Sequence, residues 1–452
     1  MRNTGTLNST GAVSSIPETA LEGTGETLAW LAEHRLRGHY DSAVIPLGEV
    51  ANWQLAGDTG DLEHESGRFF RVEGLDVRTN QGPVDHWRQP VIQQPEVGIL
   101  GLLVRRVGGE YYALVQAKME PGNINVVQVA PTVQATKSNY TRVHGGAATK
   151  YLEYFQDTAY GRVLVDVLQS EQGARFYRKR NRNVVVEVFE DVPVADGHRW
   201  LRLDVLRLLH RFDNVVNMCL RSVLSCLPLR PSMVDTAPVH TTAEVLSWFV
   251  RAKTRHRLDT RRVPLREVTG WRYDGHDIAH ESGKYFTVVG VRTTAGDREV
   301  HRWSQPMVAP RHPGIAAFLT KRVAGVEHVL VQAKTEAGYR DIAELAPTVQ
   351  CITENYRMLP AGQRPRHLEY VTGEAGGEVR FRGYQSEEGG RFYRQQNLYL
   401  ITEVDPGFPD DEAGDYLWVG VDQLHDLVLH SNYLNIEARS LLSCLQAAVP
   451  VR

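Results

Sequence analysis

Cysteine is scarce in this chain: four occur in 452 residues, at Cys219, Cys226, Cys351 and Cys444. So few thiols, so widely spaced, exclude a disulfide scaffold and fit a reducing, cytoplasmic setting. Cys226 and Cys444 end helical patterns in matching SCL segments, where a small apolar side chain fills a core. Excess charge of either sign is missing too. The 51 Lys and Arg against 54 Asp and Glu leave a net charge of −3 with no basic stripe, so nucleic-acid binding has no electrostatic support. No run of ~18 apolar residues is available for a membrane-spanning helix. Residues 1–22 are rich in Thr, Ser and Gly without an apolar stretch, so no secretory signal is read there, and residues 1–25 are expected to form a disordered lead-in. No G-x-G-x-x-G follows a strand, and neither a Walker A loop nor a G-x-S-x-G elbow occurs. A nicotinamide cofactor or ATP has no visible home, and no cofactor is expected.

What the chain does have is itself, twice. His64–Gly67 (HESG) returns as His280–Gly283, Leu114–Lys118 (LVQAK) as Leu330–Lys334, and Ala130–Gln134 (APTVQ) as Ala346–Gln350. Gln169–Glu171 (QSE) and Arg175–Arg178 (RFYR) return as Gln385–Glu387 and Arg391–Arg394, every pair offset by 216 residues. The offset is 218 at both ends of the unit, where Trp30 matches Trp248, Trp53 matches Trp271 and Trp200 matches Trp418. Such a period is too long for a solenoid or propeller unit and fits duplication of a whole domain. The expected division is 26–227 and 242–452, joined by a proline-bearing linker at 228–241.

Each copy opens with a helical pattern, Glu26–Arg37 and Ala243–Arg255. Strands are expected at Arg68–Asp76, Val97–Val107 and Tyr111–Lys118, with Gly108–Gly109 as a hairpin turn. A strand Gly161–Leu168, a helical stretch around Ser170–Arg180, a strand Asn183–Phe189 and two closing helices complete the unit. This mixture without regular βαβ alternation predicts an α+β fold with mixed sheets.

The shared residues are mostly polar, which points beyond core packing. On a strand Tyr111–Lys118, Gln116 and Lys118 share one face and Glu120 follows, a pattern repeated by Gln332, Lys334 and Glu336. An amide, an ammonium and a carboxylate together make either a polar cleft wall or a solvated sheet face. His64 and Glu65 form a candidate acid–base pair, or a turn. Thr136, Lys137, Ser138, Asn139 and Tyr140, with Asn355, Tyr356 and Arg357 in copy two, suit phosphate or sugar hydroxyls, and Arg340 adds a cation for a diphosphate. Trp53 and Trp271 could stack on a nucleobase or fill a core. Ser170, with Gln385, Ser386, Glu387 and Glu388, stands where a strand is expected to give way to a helix, suited to binding an anion or to capping. His276 and His280 have zinc-helix spacing, but copy one lacks the first histidine and Gly283 favours a turn, so no metal is expected. Lys118-x-Glu120-Pro121-Gly122 looks like the start of a Nudix signature without its glutamate helix.

Taken together, LVQAKMEPGN, VAPTVQATKSNY, QSEQG and RFYR, with their second-copy counterparts, resemble the NDP-hexose 2,3-dehydratase family from Glu26 to Leu445. The resemblance implies two tandem Nudix-like domains, usually in a homodimer, acting on dTDP-4-keto-6-deoxyglucose in deoxysugar biosynthesis. It also implies two nucleotide-sugar pockets per chain, one of them catalytic. The chemistry implied is removal of the C3 proton, acidified by the 4-ketone, then loss of the C2 hydroxyl to give a 3,4-diketo sugar. A 3-ketoreductase would consume that unstable product. Within this frame Lys118 is expected to steady the enolate or act as base. Tyr140 or Glu120 would make the other proton transfer, with His64 and Glu65 in reserve, and copy one is the expected working copy. A nucleotide-sugar hydrolase and a non-catalytic nucleotide-sugar binding protein are the competing readings.

Overall fold

A computed structural model describes residues 18–137, 149–227, 237–296, 301–409 and 414–448. Copy one opens with helix α1 (Glu18–Arg37), so residues 18–25, expected as lead-in, are already helical. Its strands are β1 (Asp41–Ile45), β2 (Trp53–Leu55), β3 (Leu62–His64), β4 (Arg71–Thr79), β5 (His86–Gln93), β6 (Gly98–Val107), β7 (Glu110–Met119), β8 (Val127–Pro131), β9 (Val133–Ala135), β10 (Arg162–Ser170), β11 (Arg180–Glu187) and β12 (His198–Arg202). Helices α2 (Glu153–Gln156), α3 (Leu203–Leu209) and α4 (Met218–Ser225) complete it. Copy two has α5 (Thr242–Arg255), α6 (Leu368–Thr372), α7 (Val421–Leu427) and α8 (Ile436–Ala448). Its strands are β13 (Leu258–Val263), β14 (Trp271–Tyr273), β15 (Asp277–His280), β16 (Phe286–Thr294), β17 (Arg302–Pro310), β18 (Gly314–Val323), β19 (Val326–Lys334), β20 (Glu344–Ala346), β21 (Val349–Cys351), β22 (Glu378–Ser386), β23 (Gln396–Glu403) and β24 (Tyr416–Gly420).

Local sequence explains much of this. Thr241 caps α5 by accepting from Glu244 N, while the Glu244 carboxylate accepts from Thr241 N, a reciprocal capping box. Gly108 and Gly109 take φ of +59° and +91°, the left-handed pair a tight hairpin between β6 and β7 requires. β6 reads as an unbroken apolar run because both its faces are covered. Leu100, Leu102 and Val104 pack toward the helices, and Ile99 and Leu103 pack toward Tyr151 and Phe155.

Each copy builds a mixed seven-stranded sheet, β10-β11-β6-β7-β12 with β8 on β7 and β9 on β6; only the β6–β11 pair is parallel. Copy two repeats it as β22-β23-β18-β19-β24 with β20 and β21. The α+β class with mixed sheets expected from the pattern is what the chain forms.

The smaller sheets are shared. β1 of copy one pairs with β16 of copy two, and β13 of copy two pairs with β4 of copy one. One apolar cluster beneath them draws Ile45, Leu62 and Phe176 from copy one, with Val263, Phe286 and Phe392 from copy two. The exchange continues at the loops. Gly122 N donates to Gly389 O (2.8 Å), and Gly338 N donates to Gly173 O (2.7 Å). A Cβ at Gly122 would stand 1.8 Å from Phe392 O, and one at Gly338 would stand 1.7 Å from Phe176 O, so only glycine lets the loops meet. The glycine of the K-x-E-P-G segment is thus a docking residue between copies.

Between β10 and β11, residues 171–179 form turns, not the helix expected around Ser170–Arg180. His276 precedes β15 and His280 ends it, so the pair stands on extended chain and not on the helix that a zinc-binding i, i+4 spacing would need.

Candidate active site

In both copies the site begins at the C-terminal end of the strand carrying LVQAK. In copy two, Lys334, Glu336, Gln350, Asn397 and Glu437 line a cavity of about 370 Å³. Its far wall comes from copy one, through Trp87, Gln89, Gln172 and Arg175. Glu336 is fixed by a relay: Gln350 Nε2 donates to it (3.0 Å), and Asn435 Nδ2 donates to Gln350 Oε1 (2.7 Å). Asn435 also accepts from Ala438 N (2.9 Å) in the first turn of α8, so the helix start positions the carboxylate. Copy one repeats the relay, with Asn217 Nδ2 to Gln134 Oε1 (2.8 Å) and Gln134 Nε2 to Glu120 Oε1 (2.7 Å).

The copy-one cleft is completed from copy two in the same way. Glu388, on the loop that meets Gly122, feels the charges of Glu120, Glu171 and Arg391. Cys219, wholly buried, feels Glu120, Glu171, Glu388 and Lys118, which places it among them. Burial, reinforced by Glu120 and Glu171, pushes the Glu388 carboxyl up to about 8, so it holds a proton at neutral pH. Burial raises the Cys219 thiol well above its usual range, which makes it inert filler in this setting.

The two clefts are not copies in detail. Where the copy-one cleft has Glu388, Lys179 and Cys219, the copy-two cleft has Gln172, Gln395 and Glu437. Burial and the neighbouring Glu336 and Glu387 carry the Glu437 carboxyl well above the carboxylate range.

The structure brings some of the sequence candidates together and disperses others. Lys118 and Glu120 meet at the copy-one cleft, Glu388 joins them across the copy boundary, and Lys334, Asn355 and Tyr356 line the copy-two cavity. Ser138, Asn139 and Tyr140 lie outside the described residues, and Thr136 and Lys137 immediately precede them.

The Gln116 amide is engaged within the sheet, where it donates to Pro131 O (2.8 Å) and Thr132 O (3.3 Å), carbonyls that would otherwise need partners. Trp53 and Trp271 pack on the shared apolar cluster under the small sheets, with Phe70 and Phe286 as ring partners. Both stay partly buried, and neither lines the copy-two cavity. His64 meets Ser66 Oγ (2.9 Å) in an exposed turn beside Trp53, and Glu65 belongs to that turn. Arg340 and Arg357 are exposed and do not line the cavity; Arg357 leans on Glu354 (3.4 Å).

The QSE segments belong to the boundary between copies. Gln385 Nε2 donates to His210 O (2.8 Å), Ser386 Oγ meets Gln128 Nε2, and Ser170 Oγ donates to Glu344 (2.6 Å), all buried. Glu387 accepts from Gln172 (2.7 Å), Asn397 (2.7 Å) and Tyr399 (3.0 Å), a saturated carboxylate that braces the copy-two cavity. Sequence reasoning missed Asn217, Asn435, Lys179 and the reach of Arg175 and Arg391. The asparagines repeat at the 218-residue offset, which was the available signal.

Among the described residues, no group of three or more His, Cys, Asp and Glu is arranged to hold a metal, and no helix is long and apolar enough to cross a membrane.

A family model described as NDP-hexose 2,3-dehydratase matches residues 24–227 and 242–445. The dTDP-4-dehydro-6-deoxy-α-D-glucopyranose 2,3-dehydratase of Saccharopolyspora spinosa is 45% identical over 447 residues, covering 94% of this chain and 91% of that protein. Proteins of the same name from Amycolatopsis orientalis and Streptomyces violaceoruber are also 45% identical, over 430 and 428 residues. The first covers 94% of this chain and 90% of its own length, the second 92% and 96%. Among solved structures, a Nudix hydrolase from M. smegmatis is 18% identical and overlaps at a TM-score of 0.20, covering 31% of this chain and 88% of its own.

Proposed function

Since the chain belongs to the NDP-hexose 2,3-dehydratase family, we propose that it removes water across C2–C3 of dTDP-4-keto-6-deoxyglucose, giving a dTDP-3,4-diketo-2,6-dideoxyhexose. The observation that carries the chemistry is the loop contact that brings Glu388 of copy two across the copy boundary to Glu120, in the cleft that Lys118 enters.

Elimination next to a ketone needs three things at once: a base for the C3 proton, a cation for the growing enolate, and an acid for the departing C2 hydroxyl. In this reading Glu120, fixed by the Gln134 relay, takes the C3 proton, and the Lys118 ammonium steadies the charge that develops on the C4 oxygen. Glu388 gives its proton to the C2 oxygen, which leaves as water. The C2–C3 enol then tautomerises to the diketone, so substrate and product differ by one water. A positioned acid or base contributes roughly 10²–10⁴-fold, and one donor on the oxyanion about 3–4 kcal/mol.

Copy two's cavity, with Lys334, Asn355 and Tyr356, is the second nucleotide-sugar site of this reading. The protein works as a cytoplasmic homodimer in deoxysugar supply for natural-product glycosylation. A 3-ketoreductase takes its product.

The test is a paired substitution. Lys118→Met abolishes loss of water from dTDP-4-keto-6-deoxyglucose, followed by mass spectrometry with the ketoreductase step coupled, whereas Lys334→Met leaves turnover within a few-fold. Near-normal turnover by folded Lys118→Met removes copy one as the working cleft.

A further inference from the structure

We propose that Lys179 is a positioning residue of the copy-one cleft: its ammonium compensates Glu171, so that the one proton shared among the buried carboxyls resides on Glu388, where the leaving hydroxyl needs it. The inference rests on the assignment of catalysis to copy one.

The geometry is specific. Lys179 immediately precedes β11 and is buried, with 7% of its surface exposed. Its Nζ donates to Glu96 O in the β5–β6 turn, which pins the side chain across the floor of the cleft. Its backbone carbonyl accepts from Glu171 N (3.1 Å), so ammonium and carboxylate are held by the same piece of chain. The charges facing it are those of Glu171, Glu96, Arg391 and Glu388.

Three carboxyls crowd this space, and they are not equivalent. Glu171 accepts from Asn181 Nδ2 (2.6 Å) and has both Arg439 and Lys179 near it; these oppose burial and the like charge of Glu387, which still hold its carboxyl above the usual range. The Glu388 carboxyl accepts from Gly390 N (3.1 Å), its one hydrogen bond among the described residues; Glu120 and Glu171 reinforce burial there, while Arg391, that bond and the nearby Lys179 oppose it. One oxygen on each, Glu171 Oε2 and Glu388 Oε2, is buried without a partner among the described residues. A buried carboxyl with an unused oxygen beside other carboxyls takes up a proton, and the nearest cation decides which member stays charged.

The duplicated cleft supplies a comparison. At the places of Lys179 and Glu388, the copy-two cleft has Gln395 and Gln172, both neutral. The additional acid and the additional ammonium stand in the same cleft, so the cation has a partner there that copy two lacks. That glutamine occupies the equivalent place also shows that the fold accepts it.

Two substitutions test the idea, read in the pH dependence of kcat with dTDP-4-keto-6-deoxyglucose. Lys179→Gln leaves Glu171 without its compensating ammonium, so Glu171 takes the shared proton, Glu388 loses it at lower pH and the alkaline limb moves down by roughly 1 unit; an upward shift overturns the role. Glu171→Gln removes the negative charge that drives the proton onto Glu388, so the alkaline limb moves down by a comparable amount. Lys179→Arg restores the wild-type profile. Both profiles staying in place while Lys118→Met is inactive overturns the role of Lys179 alone. An active Lys118→Met overturns the copy-one assignment together with it.

Discussion

Arg439 of copy two donates a hydrogen bond to the backbone carbonyl of Ser170 in copy one, and Arg221 of copy one does the same to Ser386 in copy two. Both guanidinium groups are wholly buried. Each also donates to a carbonyl at the foot of its own helix, Leu434 O for Arg439 and Val216 O for Arg221 (both 2.6 Å). The strongest polar repeats in the chain therefore meet at its centre. They clamp the two halves in the one arrangement that lets each cleft borrow a wall from the other copy.

Arg439→Met tests this clamp. It strips donors from Ser170, Leu434 and Ser222 and takes the nearby cation from buried Glu344. Removing one partner of a buried charged network costs about 3–5 kcal/mol, so urea unfolding should show the free energy of unfolding falling by that amount, through a lower midpoint at constant slope. A loss under about 1 kcal/mol, the net value of a single ordinary hydrogen bond, would mean that the guanidinium is only packing.

What could be read from sequence was what local chemistry dictates. The α5 helix has its Thr-x-x-Glu start, the β6–β7 hairpin has its two glycines, and β6 has its unbroken apolar run. Lys118 and Glu120 were legible because strand alternation orients neighbours. The cross-copy facts were not. Nothing in Asp41–Ile45 or Leu258–Val263 says that these strands pair with the other copy, since either β4 or β16 offers an equivalent edge. Gln385, Ser386 and Ser170 were assigned to a ligand for the same reason. A polar side chain suits a phosphate oxygen and a backbone carbonyl equally well, and only the fold decides which it meets.

Glu344 and Gln128 occupy equivalent places, and their difference has a pH signature. Glu344 is wholly buried against Ser170, and burial pushes its carboxyl from 4.5 up to about 7. Between those values the folded state holds a proton that the unfolded state has lost, so stability falls as pH rises and the deficit is complete above pH 7. His210 acts from the other side: burial holds its ring down to about 4, so its contribution is lost as pH falls from 6.5 towards that value. Glu344→Gln copies the solution of copy one, where Gln128 Nε2 donates to Ser386 Oγ. Guanidinium unfolding should show the variant gaining on wild type from pH 5 to 7.5, by on the order of 2 kcal/mol, and then running parallel. A constant difference across that range contradicts a titrating Glu344.

Glu388→Gln separates donation of a proton from mere occupancy of the cleft. Glutamine fills the same volume, keeps an acceptor for Gly390 N, and is the residue that the copy-two cleft has at the matching Gln172. What it lacks is a transferable proton. If Glu388 protonates the departing C2 oxygen, kcat falls roughly 10²–10⁴-fold while the affinity for dTDP stays within a few-fold. The alkaline limb of the residual activity also loses the ionisation near pH 8 that burial beside Glu120 and Glu171 gives this carboxyl. Exchange of the substrate C3 hydrogen with deuterated water sharpens the result. Base and enolate cation remain in Glu388→Gln, so C3 exchange should persist in the variant while water loss stops. Abolition of both would move Glu388 from acid to base, and retention of both would take it out of the proton path.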